Sequence, residues 1–252
     1  MPTCYRHPDR ETWVRCQRCE RPICPDCMKD ASVGFQCPEC VAEGNKNVRQ
    51  ARSAYGGAVV TQPYVTWTIL GLIALVFAGQ WVTDDQVAIR LAMQPYAVAS
   101  GDWYRLITSA FVHDRGNFFH VLFNGWAIYV IAPYLERALG HAKFAALYLL
   151  SALGGGVLGY WLDAPAQTSL GASGAVFGLF AAVFIIGRKQ RLDIRGIATV
   201  IVLNLALTWV IPLVTGYGIS WTAHVGGLIT GAVLGTALVY APAANRGVVQ
   251  WA

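Results

Sequence analysis

The chain has 252 residues, of which 55% are hydrophobic and only 13% are charged, and its mean hydropathy is +0.43. These values exclude an ordinary soluble globular protein and indicate a protein that crosses a membrane several times. The formal net charge of +5 does not by itself indicate a nucleic-acid partner, because positive residues of membrane proteins collect in the loops on one side of the bilayer.

The N-terminal segment carries a regular pattern of metal ligands, which includes all seven cysteines of the chain. Four pairs have two residues between their members: Cys4 with His7, Cys16 with Cys19, Cys24 with Cys27, and Cys37 with Cys40. Each pair can hold one ion from a single tight turn, and eight ligands predict two structural, tetrahedral zinc sites. A disulfide framework is the alternative, but the odd number of cysteines disfavours it and makes His7 the eighth ligand.

The pattern in residues 4–40 resembles a B-box zinc finger, and it predicts a double zinc-binding module over residues 1–42 and a linker over residues 43–62. The resemblance implies that Cys4, His7, Cys24 and Cys27 bind one ion and that Cys16, Cys19, Cys37 and Cys40 bind the other. Spacing alone also allows sequential pairing. Nine Lys or Arg against seven Asp or Glu through Arg52 are too balanced for a nucleic-acid surface, so a cytoplasmic protein partner is the better expectation.

Six apolar stretches follow, each long enough to cross a bilayer as a helix of roughly 18 to 20 residues. They predict an all-α polytopic membrane domain over residues 63–241 and a cytoplasmic tail over residues 242–252. The expected spans are residues 64–82, 118–136, 142–162, 170–187, 196–214 and 221–240. Trp103, Tyr104 and Arg105, with several apolar residues, predict a substructure in the headgroup region between the first two spans.

The distribution of basic residues predicts the orientation, since short loops rich in Lys and Arg stay in the cytoplasm. With the N-terminus inside, seven basic residues of the membrane domain and tail are cytoplasmic and three are external. The seven are Arg137, Lys143, Arg188, Lys189, Arg191, Arg195 and Arg246; the three are Arg90, Arg105 and Arg115. Zinc-binding thiolates also need a reducing compartment. We therefore expect a multi-pass protein of the plasma (inner) membrane with both termini in the cytoplasm.

The fourth span contains Ser173 near its start, among small residues. Gly171, Gly174 and Gly178 remove side chains from one helical face, so another helix or a peptide backbone can approach the serine oxygen closely. A serine in this setting can also be a packing hydroxyl bonded to its own helix. A catalytic role therefore requires a base at the same membrane depth.

The sixth span begins on the same side of the membrane, which places His224 level with Ser173. Gly227 and Gly231 repeat the spacing of the glycines beside the serine, so close packing of the fourth and sixth spans would bring the two side chains into hydrogen-bond distance. Spans four to six contain no carboxylate at this depth. The pattern therefore predicts a Ser-His dyad in which His224 acts first as base and then as acid.

The second span carries His120 and Asn124 one turn apart, so both project from the same face near the external end. Together with the backbone N–H of Ser173, they are candidate donors to an oxyanion. The alternative is a polar pair that bonds across helices. Asn204 and Thr208, one turn apart in the fifth span, are interpreted in that second way.

Together these residues resemble the rhomboid family of intramembrane serine proteases, over residues 63–240. The motifs are Gly171-Ala172-Ser173-Gly174, Ala223-His224 with Gly227 and Gly231, His120 with Asn124, Trp103-Tyr104-Arg105, and Glu136-Arg137 before Gly140. Family members often have a tyrosine four residues after the serine, stacked on the histidine. This chain has Phe177 at that position.

The resemblance implies a six-helix bundle with a water-filled cavity open to the outside, in which Ser173 attacks a transmembrane substrate near its external membrane boundary. It implies His224 as base, an oxyanion hole formed by Ser173 N–H, His120 and Asn124, and no catalytic cofactor. The expected partners are single-span or polytopic membrane proteins and the lipid bilayer. The alternative is a catalytically silent rhomboid-like protein that binds transmembrane clients, which the presence of both Ser173 and His224 disfavours.

Overall fold

The computed structural model describes residues 2–46, 51–215 and 218–241, so the predicted tail over residues 242–252 lies outside the described residues. The chain divides between Ala51 and Arg52 into two compact units. Each unit is built on a different principle: the first around clustered cysteines and the second around packed helices.

The N-terminal unit has little regular structure. It contains a 3-10 turn (Pro25–Cys27), two short antiparallel strands, β1 (Lys29–Asp30) and β2 (Phe35–Gln36), and one helix, α1 (Pro38–Lys46). Its buried cluster consists of six cysteines and Ile23. So small an apolar core cannot hold a unit of this size together by itself, which makes the cysteine groups its main structural feature.

The segment expected as a linker, residues 43–62, is partly structured. Helix α1 extends into it as far as Lys46, and residues beyond Arg52 pack within the second unit. Tyr55 is buried, and its carbonyl oxygen accepts a hydrogen bond from Nζ of Lys143 at 2.7 Å. Although its composition is polar and small, as in a linker, the part of this segment around Tyr55 is anchored within the second unit.

The second unit contains nine helices in its described part, six of them long. In chain order they are α2 (Tyr64–Val82), α3 (Gln86–Leu91), α4 (Pro95–Ala99), α5 (Arg105–Thr108), α6 (Phe118–Leu139), α7 (His141–Leu162), α8 (Ser173–Gln190), α9 (Arg195–Thr215) and α10 (Trp221–Tyr240). The all-α polytopic fold is confirmed, and the six long helices follow the six predicted spans closely.

Five of the long helices in the described residues are long and apolar enough to cross a membrane by length and composition; α8 is the exception. It has 18 residues and carries Arg188 and Lys189 in its last turn. Helix α8 lies in the centre of the bundle, where every residue from Gly174 to Ala182 is buried. Because protein surrounds this helix, small residues that permit close packing replace the large apolar residues that face lipid elsewhere.

The loop between α2 and α6 is a substructure of three short helices and a 3-10 turn (Ser109–Phe111). Arg105 is buried beneath it, and its guanidinium donates to the carbonyl oxygens of Ile89 at 2.7 Å and Ala92 at 2.9 Å. Its Nε also pairs with Asp102 at 2.8 Å. One arginine therefore ties the ends of two short helices together.

Glu136 of α6 is fully buried and caps the start of α2. Its carboxylate accepts hydrogen bonds from the N–H groups of Val65 at 2.9 Å and Thr66 at 2.8 Å, and from the Thr66 hydroxyl at 2.6 Å. Nδ1 of His141, the first residue of α7, lies 2.5 Å from the same carboxylate. Since first-turn N–H groups have no acceptor within their own helix, this carboxylate joins three helices at one end of the bundle.

We expect Glu136→Gln to lower the free energy of unfolding by about 1–3 kcal/mol, because an amide nitrogen would face these N–H donors without being able to accept from them. The midpoint of thermal unfolding in detergent would measure the effect. Asp193→Asn is the control, since that carboxylate is exposed. Equal midpoints for both variants would contradict the capping role.

Candidate active site and metal clusters

Ser173 is the first residue of α8, so the helix begins three residues after the start of the predicted span at Leu170. Gly171 has a φ of +118°, a conformation that L side chains rarely adopt, and its N–H donates to the carbonyl oxygen of Ser109 at 2.9 Å. The chain turns at this glycine and then enters the helix. The backbone N–H of Ser173 therefore belongs to the first turn, where N–H groups have no acceptor within the helix.

His224 lies in the first turn of α10, which begins after an N-cap at Ser220. The Ser220 hydroxyl accepts a hydrogen bond from the N–H of Ala223 at 3.2 Å. His224 is 7% exposed, and its Nε2 lies 2.8 Å from Oγ of Ser173. The ring of Phe177 stacks on the imidazole, with centroids 4.4 Å apart and planes inclined by 25°. The imidazole is thus held with one nitrogen facing the serine.

Glycines on both helices allow this approach. A methyl group on Gly227 would overlap the carbonyl oxygen of Gly174, and a methyl group on Gly231 would overlap the backbone of Gly178. A Cβ atom at Gly174 would come within 3.0 Å of the carbonyl oxygen of Ala223. Helices α8 and α10 therefore pack with their backbones in contact, which glycine alone permits.

His120 and Asn124 of α6 face the same space as the serine. Nδ1 of His120 accepts a hydrogen bond from the N–H of Asp114 at 3.3 Å, so in the neutral ring the hydrogen is on Nε2. That Nε2 faces Gly171, where a Cβ atom would come within 2.6 Å of it. Asn124 donates one amide hydrogen to the carbonyl oxygen of His120 at 2.8 Å, which leaves it a second hydrogen to donate.

A cavity of about 720 Å³ joins these groups. Its lining includes Ser173, His224, His120 and Asn124, together with glycines of α7 such as Gly156. The structure thus brings together, around one cavity, the four polar residues that the sequence analysis selected from three separate helices. A hydroxyl beside an imidazole, with several N–H groups in reach, is a suitable arrangement for nucleophilic attack on a carbonyl carbon.

His113 is a neighbour of this site that the sequence analysis missed. It is fully buried, its Nε2 accepts a hydrogen bond from the N–H of Ala172 at 3.4 Å, and its ring lies 5.1 Å from that of His120. Burial lowers the pKa of His113 to about 3, so the ring is neutral. The available signal was a histidine directly after the apolar pair Phe111 and Val112.

Asn204 and Thr208 of α9 differ from each other in their contacts. The amide of Asn204 donates within its own helix, to the carbonyl oxygen of Val200 at 2.8 Å. Thr208 bonds between helices, because its Oγ1 lies 2.8 Å from Nδ1 of His224. The sequence predicts a bond between helices for Thr208 but does not identify His224 as its partner.

The first unit holds its metal ligands in two clusters that could each bind an ion. One contains Cys4, His7, Cys24 and Cys27, the other Cys16, Cys19, Cys37 and Cys40, and within each cluster the ligand atoms lie within 4.8 Å of one another. Nδ1 of His7 lies 3.8, 3.2 and 3.4 Å from the sulfurs of Cys4, Cys24 and Cys27. Ligands about 2.3 Å from a tetrahedral ion are separated by about 3.8 Å, so both donor sets fit such an ion.

Arg21 supports the second cluster. Its Nε donates to Sγ of Cys19 at 3.3 Å, and this hydrogen bond lowers the pKa of the Cys19 thiol. The N–H of Cys37 also donates to Sγ of Cys16 at 3.2 Å. Since metals bind the thiolate form, donors aimed at these sulfurs favour the state that an ion requires.

Comparison with known proteins agrees with this architecture. Residues 100–241 match the family model of the Rhomboid domain. The putative rhomboid protease YdcA of Bacillus subtilis is 36% identical over 138 residues, which cover 54% of this chain and 68% of that protein. The rhomboid protease AarA of Providencia stuartii is 28% identical over 224 residues, which cover 77% of each chain. The rhomboid protease GlpG of Haemophilus influenzae is 26% identical over 178 residues, 69% of this chain and 90% of that one.

The helical bundle, the polar cavity and these matches together define the protein: the chain belongs to the rhomboid family. It is an integral multi-pass membrane protein and an intramembrane protease of the serine type.

Proposed function

We propose that this chain hydrolyses peptide bonds of transmembrane substrates near their external membrane boundary, with Ser173 as nucleophile and His224 as general base and acid. The observation that carries the proposal is the 2.8 Å separation of Ser173 Oγ and His224 Nε2 at the cavity. This distance lies within the range for proton transfer between a nucleophile and its base.

In this mechanism Oγ of Ser173 attacks the carbonyl carbon of the scissile bond while its proton passes to Nε2 of His224. The resulting oxyanion accepts hydrogen bonds from the Ser173 N–H, Nε2–H of His120 and the second amide hydrogen of Asn124. His224 then donates its proton to the leaving amine, which leaves an acyl group on Ser173. Water from the cavity hydrolyses that ester, again with His224 as base.

The proposed substrates are single-span or polytopic membrane proteins, and the proposed location is the plasma (inner) membrane with both termini in the cytoplasm. The excess of basic residues in the loops assigned to the cytoplasm supports this orientation. The orientation places the start of α8 and of α10, and with them the cavity, toward the external face. A substrate helix would then present its external end to Ser173.

The test is cleavage of a single-span model substrate by the full chain in liposomes, with the two fragments weighed by mass spectrometry. We expect one new terminus at or near the external end of the substrate's apolar segment. A substrate that copurifies with the chain but stays intact would favour the silent rhomboid-like binder. A cut at the cytoplasmic end would overturn the proposed orientation.

We further propose that the module over residues 1–42 binds two structural Zn²⁺ ions, one in each cluster, and contacts a cytoplasmic protein through its surface. Three thiolates with one imidazole, and four thiolates, are donor sets that zinc prefers. The buried cluster of cysteines and Ile23 supports a folding role for the metals, since little other apolar surface is buried with it.

Metal analysis of the purified full chain is expected to give about two zinc ions per chain, and Cys24→Ser about one. Limited proteolysis after treatment with a zinc chelator should cut the first unit much faster, because the ions supply its folding free energy. Cleavage of a membrane substrate should persist, since none of the eight proposed metal-binding residues lines the cavity. Full resistance of the metal-free first unit to proteolysis would contradict the folding role.

A further inference from the structure

Helix α9 supplies a hydroxyl group to the second nitrogen of His224. Oγ1 of Thr208 lies 2.8 Å from Nδ1 of the imidazole, and Nε2 on the other side of the ring faces Ser173. The same Oγ1 donates to the carbonyl oxygen of Asn204, one turn earlier in α9, at 2.9 Å. Thr208 is 2% exposed, so this hydroxyl is removed from bulk water.

The available hydrogens determine the direction of these bonds. A threonine hydroxyl has one hydrogen, and the Asn204 carbonyl can only accept it. The Thr208 oxygen is then free to accept from Nδ1–H of His224. A neutral imidazole with its hydrogen on Nδ1 has its lone pair on Nε2, where it faces the Ser173 hydroxyl.

We propose that Thr208 is a positioning residue for His224, which holds the imidazole in the tautomer that can accept the proton of Ser173. The inference rests on the proposed function. In serine proteases with a triad, a carboxylate fills this place and holds the histidine through the same nitrogen. Here a neutral hydroxyl, itself bonded to a helix carbonyl, completes a hydrogen-bond series from Ser173 through His224 and Thr208 to Asn204.

Two neighbours of the imidazole thus restrain different motions. Phe177 covers one face of the ring and limits its tilt, whereas Thr208 restrains its rotation within the ring plane. The second restraint depends on α9, which is the least buried of the five candidate spans among the described residues. The orientation of His224 is therefore coupled to the position of a loosely packed helix.

Steady-state cleavage of a single-span model substrate by the full chain in liposomes tests the role. Thr208→Val removes the hydroxyl and keeps the shape, and we expect kcat to fall about tenfold, since a neutral hydrogen bond is lost, with KM nearly unchanged. Thr208→Ser keeps the hydroxyl and should restore most of kcat. Thr199→Val is the matched control, because Thr199 of α9 is exposed and makes the same bond to the carbonyl oxygen four residues back, at 2.9 Å.

Wild-type kcat in Thr208→Val would overturn the proposal. So would a loss of kcat that Thr208→Ser fails to restore, or one that accompanies a fall in the midpoint of thermal unfolding, because both would indicate a structural role for Thr208 and not the positioning of His224. Ser173→Ala, measured in parallel, separates this failure from failure of the proposed function. If Ser173→Ala is inactive and Thr208→Val is fully active, only the positioning role is wrong; if Ser173→Ala stays active, the proposed nucleophile is wrong.

Discussion

Replacement of Ser173 by alanine, or of His224 by glutamine, is expected to reduce the cleavage rate of a transmembrane substrate by about 10⁴-fold or more. In the proposed mechanism the serine oxygen forms the bond to the substrate, and the imidazole 2.8 Å away accepts its proton. Because the proposed mechanism uses the two groups as one unit, the double variant should be no slower than either single variant. Initial rates in liposomes measure all three.

Ser151→Ala is the matched control for this experiment. Ser151 is a fully buried serine of α7, and its Oγ has no hydrogen-bond partner among the described residues. Removing that hydroxyl should leave the rate within a few fold of wild type. If the rate reductions of the two single variants multiplied in the double variant, the two residues would not form a shared catalytic unit.

Replacement of Gly227 by alanine is expected to have the second largest effect. Alanine is favoured over glycine in a helix by about 1 kcal/mol, so helix propensity alone predicts a gain in stability. In this bundle the added methyl group would overlap the carbonyl oxygen of Gly174, and α8 and α10 must separate to admit it. We expect a lower midpoint of unfolding and a loss of activity on the order of 10²-fold, as for a displacement of about 1 Å in an active site.

Gly71→Ala is the matched control for this close packing. Gly71 lies within α2, and a Cβ atom there would meet no other atom within 4 Å. The substitution should leave the midpoint of unfolding unchanged or raise it slightly, and it should leave activity unchanged. A wild-type midpoint and rate in Gly227→Ala would show that α8 and α10 do not depend on contact between their backbones.

The membrane fold could be predicted from the sequence because apolar length is a strong signal. The first and last spans were predicted with the bounds that the structure gives to α2 and α10. The start of α8 was predicted at Leu170, but the helix begins at Ser173. Gly171 has a positive φ, which is incompatible with a right-handed helix, so the helix can begin only after it. The hydropathy of a residue does not depend on its backbone angles, so hydropathy alone could not place this helix start.

The candidate site residues could be selected from the sequence because polar groups are rare in apolar spans and glycines mark a close approach. The contact between Thr208 and His224 could not be derived in the same way. Asn204 and Thr208 mark one face of α9, but their spacing within this helix does not indicate which residue of another helix that face meets. The anchoring role of Tyr55 was hidden for a related reason, since its partner Lys143 is far away in the chain.

Reaction of the full chain with a fluorophosphonate, followed by tandem mass spectrometry, tests the central claim most directly. We expect one covalent adduct, on Ser173, which is lost in His224→Gln because the serine can no longer transfer its proton. An adduct on another serine, or equal labelling of Ser173 in wild type and His224→Gln, would contradict it.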